Sequence, residues 1–231
     1  MRVRFLLSIL LFSAPLLAQT TISAQRDPQA AMIVQAALTA LGGAATISQA
    51  QSWAIQAQAA GLEVATKSET FNLSPGTGTQ VVLPNGKAAT KPPRAYSSSL
   101  FPILIAPLLL KESKDKNYTL RYGGQTTVGS EPVAVVSFVL PRILLSTAQT
   151  WYFDTTTNLP AQIDFRLPVQ IGQVKSVRGV VALSDYRSVS GILYPFSIIT
   201  TTPGRPLAET IKLQSISPST AVQTAPAGGA Q

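Results

Sequence analysis

Most of the chain after residue 50 alternates between apolar and polar side chains, and this alternation restricts the possible fold more than any other feature. It is clearest from Ala161 to Leu167, where every second residue is apolar and those between are polar. A period of two is typical of a β-strand with one buried face. Similar strands are predicted at residues 52–60, 63–73, 77–83, 118–122, 133–140, 150–154, 174–186, 193–202 and 209–216.

Short turns join these strands. Pro84-Asn85-Gly86, Gly123-Gly124, residues 157–160 and Pro203-Gly204 contain residue types that favour tight turns. A sheet of roughly ten strands has to curl or be covered in order to bury its apolar face. We therefore expect a mainly β (α+β) fold, built as a curved antiparallel sheet or an incomplete β-barrel.

One helix is predicted before the strands. Asp27 is a suitable N-cap, Pro28 suits the first helical position, and Gly42-Gly43 ends the run. Apolar residues recur between them at helical spacing, namely Ala30, Ile33, Val34, Ala37, Leu38 and Leu41. The pattern indicates a helix over residues 28–41, followed by a second short helix at residues 44–50.

Residues 100–110 interrupt the strand pattern, since they are apolar on every side and include Pro102 and Pro107. A membrane-spanning helix needs about 20 apolar residues, so this segment is too short to cross a bilayer. The two prolines favour one or two short helical turns packed on or inside the sheet. We call residues 100–110 the lid segment, because an apolar element beside a curved sheet can plug or line a cavity. The alternative is an ordinary buried core helix.

The N-terminus has the layout of a secretory signal. Arg2 and Arg4 precede an apolar run that Gln19 ends, so residues 1–24 are predicted to be a signal peptide, cleaved after Ala18 or Ala24. Export predicts a periplasmic protein. We expect one domain at residues 27–216 and, from its composition, a disordered tail at residues 217–231. The sequence contains no cysteine, which excludes disulfides and a lipid-modified cysteine.

The composition excludes several kinds of catalytic site. Histidine is also absent, so a serine–histidine triad cannot form, and zinc and copper lack their usual ligands. No metal and no cofactor are predicted, and we expect a protein that is not an enzyme. A glycan hydrolase that uses carboxylates such as Asp154, Asp164 and Asp185 is a remote alternative, because these residues are expected to lie on polar strand faces or in turns.

The net charge of +8 favours anionic partners, including lipid head groups. Residues 87–116 carry a basic segment next to the lid segment. Nucleic acid is not expected as a partner, because the basic residues are not interleaved with stacking aromatic residues and no nucleic-acid-binding module is visible.

Three segments resemble the LolA/LolB-like lipoprotein-carrier superfamily of the Gram-negative periplasm, which also includes RseB-type sensors. They are the opening helix, the strand–turn–strand of residues 151–162, and residues 184–196, which match the family's D-Y-x-x-V-x-G-x-x-x-P strand pair. The resemblance covers most of residues 27–216. It implies an incomplete barrel of antiparallel strands with helices across its open side and an apolar cavity for acyl chains.

The resulting prediction is a periplasmic protein that binds a lipid or an acylated protein, and carries it between envelope membranes. An envelope sensor or scaffold that binds a protein partner is the alternative. Under both hypotheses, an anionic membrane surface or an envelope protein is a further candidate partner. The predicted cavity and lid residues are Trp53, Leu100, Phe101, Ile103, Leu104, Ile105, Leu108, Leu109, Phe138, Trp151, Phe153 and Phe165.

Overall fold

The computed structural model describes residues 25–50, 52–60, 67–74, 78–82, 101–139, 149–168, 176–202 and 208–219. The predicted signal peptide, the turns at residues 84–86 and 203–204, Leu100 and residues 220–231 lie outside the described residues.

Two helices open the described chain, as predicted. Helix α1 (Pro28–Ala40) starts where the Asp27 carboxylate accepts a hydrogen bond from the backbone N–H of Gln29 at 2.8 Å. It ends at Gly42, whose φ of +121° only glycine adopts readily. Helix α2 (Ala44–Gln49) follows at once.

The described strands form one antiparallel sheet that does not close on itself. Its order is β3-β2-β1-β10-β9-β8-β7-β6-β5-β4. The strands are β1 (Ser52–Ala60), β2 (Lys67–Ser74), β3 (Gly78–Val82), β4 (Thr119–Val128), β5 (Glu131–Val139), β6 (Gln149–Asp154), β7 (Pro160–Pro168), β8 (Ser176–Val189), β9 (Ile192–Thr201) and β10 (Glu209–Ser219). The predicted fold class, a curved antiparallel sheet with helical elements, is confirmed.

The connection from β3 to β4 joins strands at opposite edges of the sheet. It contains a 3₁₀-helix (Phe101–Leu104) and helix α3 (Ile105–Lys114), which pack against β9. Helix α3 also contacts α1 and α2. The lid segment therefore lies in the one connection that has to cross from edge to edge, and it packs with both N-terminal helices.

The hairpin between β8 and β9 has the geometry that its sequence predicts. Val189 pairs with Ile192, so only Ser190 and Gly191 form the turn, with φ values of +52° and +80°. Positive φ at both central positions is the geometry that a two-residue hairpin turn needs. The glycine of the D-Y-x-x-V-x-G-x-x-x-P motif therefore makes the hairpin.

The structure corrects two boundaries. Gly123-Gly124 is not a turn: the pairing of β4 with β5 shifts register between Tyr122 and Gln125, and Gly124 has a φ of +90°, so the glycines form a bulge inside a strand. At the C-terminus, β10 continues to Ser219, because residues 217–219 pair with residues 52–54 of β1. The strand thus ends three residues inside the predicted tail, which began at residue 217.

Candidate functional site

Residues 101–110 of the lid segment are helical, and the helix extends further than the apolar residues alone predict. Helix α3 continues past Leu110 to Lys114. Pro107 falls in its first turn, where a backbone N–H has no partner within a helix, so the proline does not break it. Ile103, Ile105 and Leu109 are fully buried.

The structure brings most of the predicted cavity residues together. One buried apolar cluster contains Trp53, Ile103, Ile105, Leu109, Phe138, Trp151, Phe153 and Phe165. Leu104 and Leu108 are half-buried and pack against this cluster. Phe101 lies in the 3₁₀-helix, but its side chain, like all of Leu100, is outside the described part of the chain. The lid segment and the sheet therefore share a single apolar interior.

Four aromatic rings form a row that runs from Tyr118, just before β4, over β5 and β6. Tyr118 meets Phe138 edge-on, with ring centroids 6.2 Å apart. Phe138 lies 5.5 Å from Trp151, which in turn stacks on Phe153 at 5.9 Å. We call Tyr118, Phe138, Trp151 and Phe153 the aromatic row. Tyr118 belongs to the predicted strand at residues 118–122 but was missed as a site residue.

A buried hydrogen bond joins β1 to the β8–β9 hairpin. The indole N–H of Trp53 on β1 donates to the Tyr194 hydroxyl on β9 at 2.9 Å. Both side chains are buried. Buried aromatic residues with a polar atom usually find such a partner, so this pair sets the orientation of two large rings in the interior.

A buried carboxylate is linked to the aromatic row. Glu112, on the last turns of α3, is only 4% exposed, and its Oε1 accepts a hydrogen bond from Gln149 Nε2 at 2.9 Å. Gln149 Oε1 accepts in turn from the indole N–H of Trp151 at 2.9 Å. Burial raises the pKa of Glu112 to about 7 from 4.5, against the opposing effects of the Gln149 hydrogen bond and Lys111. Burial, with the nearby charges of Glu112 and Asp115, raises the pKa of Tyr118 to about 12.

Sequence reasoning missed Glu112 because the predicted lid segment ended at Leu110. The signal was present: Ile105, Leu109 and Glu112 follow one another at spacings of four and three residues. Such residues share a helix face. A helix that continues past Lys111 places the Glu112 carboxylate on the buried face by this spacing.

Polar contacts fix the C-terminal end of α3 to the N-terminal segment. The Arg26 guanidinium donates to the backbone carbonyls of Ser113 at 2.5 Å and Asp115 at 2.7 Å. Arg26 itself forms an isolated parallel bridge with Leu120 of β4. A cation that binds the last carbonyls of a helix also complements the helix dipole. The C-terminal end of α3 is therefore anchored.

Basic side chains surround the anchored end. Lys111, Lys114, Lys116, Arg121 and Arg26 are all exposed. We call these five residues the basic rim. It includes the last part of the predicted basic segment; Lys87, Lys91 and Arg94 lie outside the described residues.

The three carboxylates considered for glycan cleavage have local structural roles. Asp154 accepts hydrogen bonds from the turn that follows it, and the Thr157 backbone N–H lowers its pKa most. Asp164 forms an ion pair with Arg178 at 2.9 Å. Asp185 pairs with Arg187 at 2.7 Å, which lowers the pKa of Asp185. Each carboxylate is thus held by neighbouring turn or strand residues.

Within the described ranges, no three potential ligands among His, Cys, Asp and Glu gather closely enough to hold a metal ion. No helix in that part of the chain has the length and apolarity needed to cross a membrane.

Similarity to a solved structure identifies the fold. An outer membrane lipoprotein-sorting protein domain from Vibrio parahaemolyticus superposes with a TM-score of 0.50 at 9% identity, covering 84% of this chain and 94% of that one. The chain has the LolA/LolB-like fold.

Two further solved structures are similar at lower scores. A LolA superfamily protein from Nitrosomonas europaea has a TM-score of 0.49 at 10% identity, covering 81% of this chain and 92% of that one. A DUF1329 family protein from Desulfovibrio piger has a TM-score of 0.48 at 11% identity, covering 82% and 94%. No protein-family model matches this chain, and no curated protein matches it by sequence.

Proposed function

We propose that this chain is a non-enzymatic, periplasmic protein that holds the acyl chains of a lipid or lipoprotein between the sheet and the lid segment. One observation carries the proposal: the buried side chains of α3 and of the sheet form a single apolar cluster. The LolA/LolB-like fold supports the same interpretation, since a domain of this fold is named for lipoprotein sorting.

The contacts between the lid and the sheet are of a kind that an acyl chain can replace. Ile105 and Leu109 bury only hydrocarbon against the sheet cluster. Apolar contacts are non-directional, so a methylene chain can substitute for a leucine or isoleucine side chain. Removing a chain of about 16 carbons from a membrane forfeits about 12 kcal/mol, which a large apolar surface has to restore. The aromatic row supplies part of that surface.

The anchored end of α3 determines how the lid opens. Arg26 holds the carbonyls of Ser113 and Asp115, and Gln149 holds Glu112. Hydrogen bonds are directional, whereas the contacts of Ile105 and Leu109 are not. We infer that α3 pivots on its anchored C-terminal end and that residues 101–110 move away from the sheet to admit the ligand.

Native mass spectrometry with lipid extraction tests this function directly. The mature protein would be purified from an envelope fraction without detergent. Bound phospholipid or acylated peptide at about one molecule per chain supports the proposal. A ligand-free mass with a stoichiometric protein partner contradicts it and favours the sensor or scaffold role.

Charges placed on the lid give a second test. Leu104 and Leu108 are half-buried at the surface of the cluster. Replacing both with Asp should abolish lipid retention, because a charged group in an apolar cavity is strongly disfavoured. The β content measured by circular dichroism should stay unchanged.

The control for this experiment is Met32→Asp, which places the same charge on α1, where the side chain is 68% exposed. This variant should retain lipid as the native chain does. Undiminished retention by the Leu104→Asp, Leu108→Asp variant would refute the role of the lid.

The basic rim supports docking on an anionic membrane next to the lid. Each basic residue close to such a surface contributes about 1 kcal/mol of attraction. Replacing Lys111, Lys114 and Lys116 with Gln should weaken binding to phosphatidylglycerol vesicles by on the order of a hundredfold at low salt. Sedimentation with vesicles at increasing salt measures the effect; unchanged binding would contradict it.

A protein partner is the second candidate, and the edge position of β4 favours it. β4 is an outer strand of the described sheet. Arg26 already bridges it at Leu120, and the rest of such an edge can pair with a strand of another protein. Cross-linking from Arg121→Cys or Gln125→Cys on β4 to a copurifying envelope protein would support this role.

A further inference from the structure

The unpaired oxygen of Glu112 suggests which part of a ligand is recognised. Among the residues that the structure describes, Glu112 Oε2 is the one buried side-chain nitrogen or oxygen without a hydrogen-bond partner. Native proteins rarely leave such an atom unsatisfied. A carboxylate oxygen is a strong acceptor, so the natural complement is a donor that a bound molecule brings.

The hydrogen bonds around Glu112 leave the buried Oε2 without a partner. The Gln149 amide accepts from Trp151 through its oxygen, and its nitrogen donates to Glu112 Oε1. Each amide atom thus has a defined role, and the carboxylate is held through one oxygen only. The Lys111 side chain is exposed to solvent and does not fill the place beside Oε2.

The position of the carboxylate is suited to the junction between the head and the chains of an amphiphile. Gln149 links Glu112 to Trp151 of the aromatic row, and Lys111 and Lys114 of the exposed basic rim lie on the same helix as Glu112. Acyl chains along the aromatic row would bring a polar head to Glu112. Burial disfavours the ionised carboxylate, and a positive charge beside it offsets that cost. A cationic donor is therefore preferred to a neutral one.

Resting on the proposed function, we propose that Glu112 Oε2 binds the ammonium N–H of an amino-headgroup phospholipid. The recognition is a charge-assisted hydrogen bond from nitrogen to the carboxylate. A quaternary trimethylammonium head carries the same charge but has no N–H, so it cannot form this bond. The protein should therefore distinguish ethanolamine from choline lipids that have identical acyl chains.

A methylation series tests this on the native protein. Vesicles would contain equal amounts of dioleoyl phosphatidylethanolamine, its N-methyl and N,N-dimethyl derivatives and dioleoyl phosphatidylcholine, with phosphatidylglycerol as a constant component. After the vesicles are removed by sedimentation, mass spectrometry counts each lipid retained by the protein. The three lipids with an N–H should be retained alike, and phosphatidylcholine less by on the order of tenfold.

The outcomes separate the inference from the proposed function. Equal retention of all four lipids, or a smooth decline with each added methyl group, would overturn the role of Glu112 but leave acyl-chain binding intact. Retention of none of them would overturn the proposed function itself. In Glu112→Leu, total retention should persist and the preference should disappear; a preference that survives this substitution also refutes the inference.

Discussion

Replacing Glu112 with Gln should remove a pH-dependent loss of stability. The folded protein holds the carboxyl with a pKa of about 7, whereas the ordinary value is 4.5. Below pH 4.5 the carboxyl is protonated in both the folded and the unfolded chain, so it does not affect stability there. Between these two values the unfolded chain releases the proton while the folded chain keeps it, and the free energy of unfolding falls as pH rises.

The size of the effect follows from the two pKa values. At about 1.4 kcal/mol for each pKa unit, the gap between about 7 and 4.5 gives about 3 kcal/mol above pH 8. Gln has the shape of the protonated Glu side chain and keeps an oxygen to accept from Gln149. The Glu112→Gln variant should therefore match the native protein at pH 4 and exceed its stability by about 3 kcal/mol at pH 8.5.

Urea unfolding at several pH values between 4 and 8.5 measures this difference, since other groups titrate alike in both proteins. The control is Glu131→Gln at the exposed start of β5, where such a substitution should change stability little. A difference for Glu112→Gln that does not change with pH would refute the assigned burial of the carboxyl.

Two further substitutions test the interior and the helix–hairpin contact by urea unfolding. Tyr194→Phe should lower the free energy of unfolding by about 1–3 kcal/mol, because the Trp53 indole N–H loses its buried acceptor; a neutral effect would contradict that bond. Gly42→Ala should cost at least about 2 kcal/mol, since the new Cβ would lie 2.1 Å from the Gly191 carbonyl oxygen. Gly43→Ala, which also has a positive φ but meets nothing within 4 Å, should cost less; equal losses would contradict the contact.

Local patterns predicted the parts of the fold that short-range physics controls. The alternation from Ala161 to Phe165 appears in β7, and the glycine of the D-Y-x-x-V-x-G-x-x-x-P motif forms the β8–β9 turn. The Gly123-Gly124 pair was wrongly assigned to a turn, because glycines with positive φ serve turns and bulges equally well. Only the pairing with β5 distinguishes the two.

The candidate site was predicted in its apolar part and missed in its polar part. Apolarity alone placed Ile105, Leu109 and Trp151 in the interior, and all three are buried. Glu112 escaped because a charged residue after Lys111 looks like the end of a buried segment. Its burial depends on Gln149, a residue 37 positions away in the chain, and such a partnership is invisible to periodicity.

The pairing of β1 with β10 has a consequence for how the protein reaches its native state. The first and last strands of the described sheet lie side by side in its interior, with Ser52 opposite Ser219. Closing a loop of that length costs entropy before any contact compensates for it, and such long-range pairing slows folding. During synthesis, one edge of β1 therefore stays unpaired until β10 has been made. A chain that ends before residue 209 should therefore remain prone to aggregation, however complete the rest of its sheet.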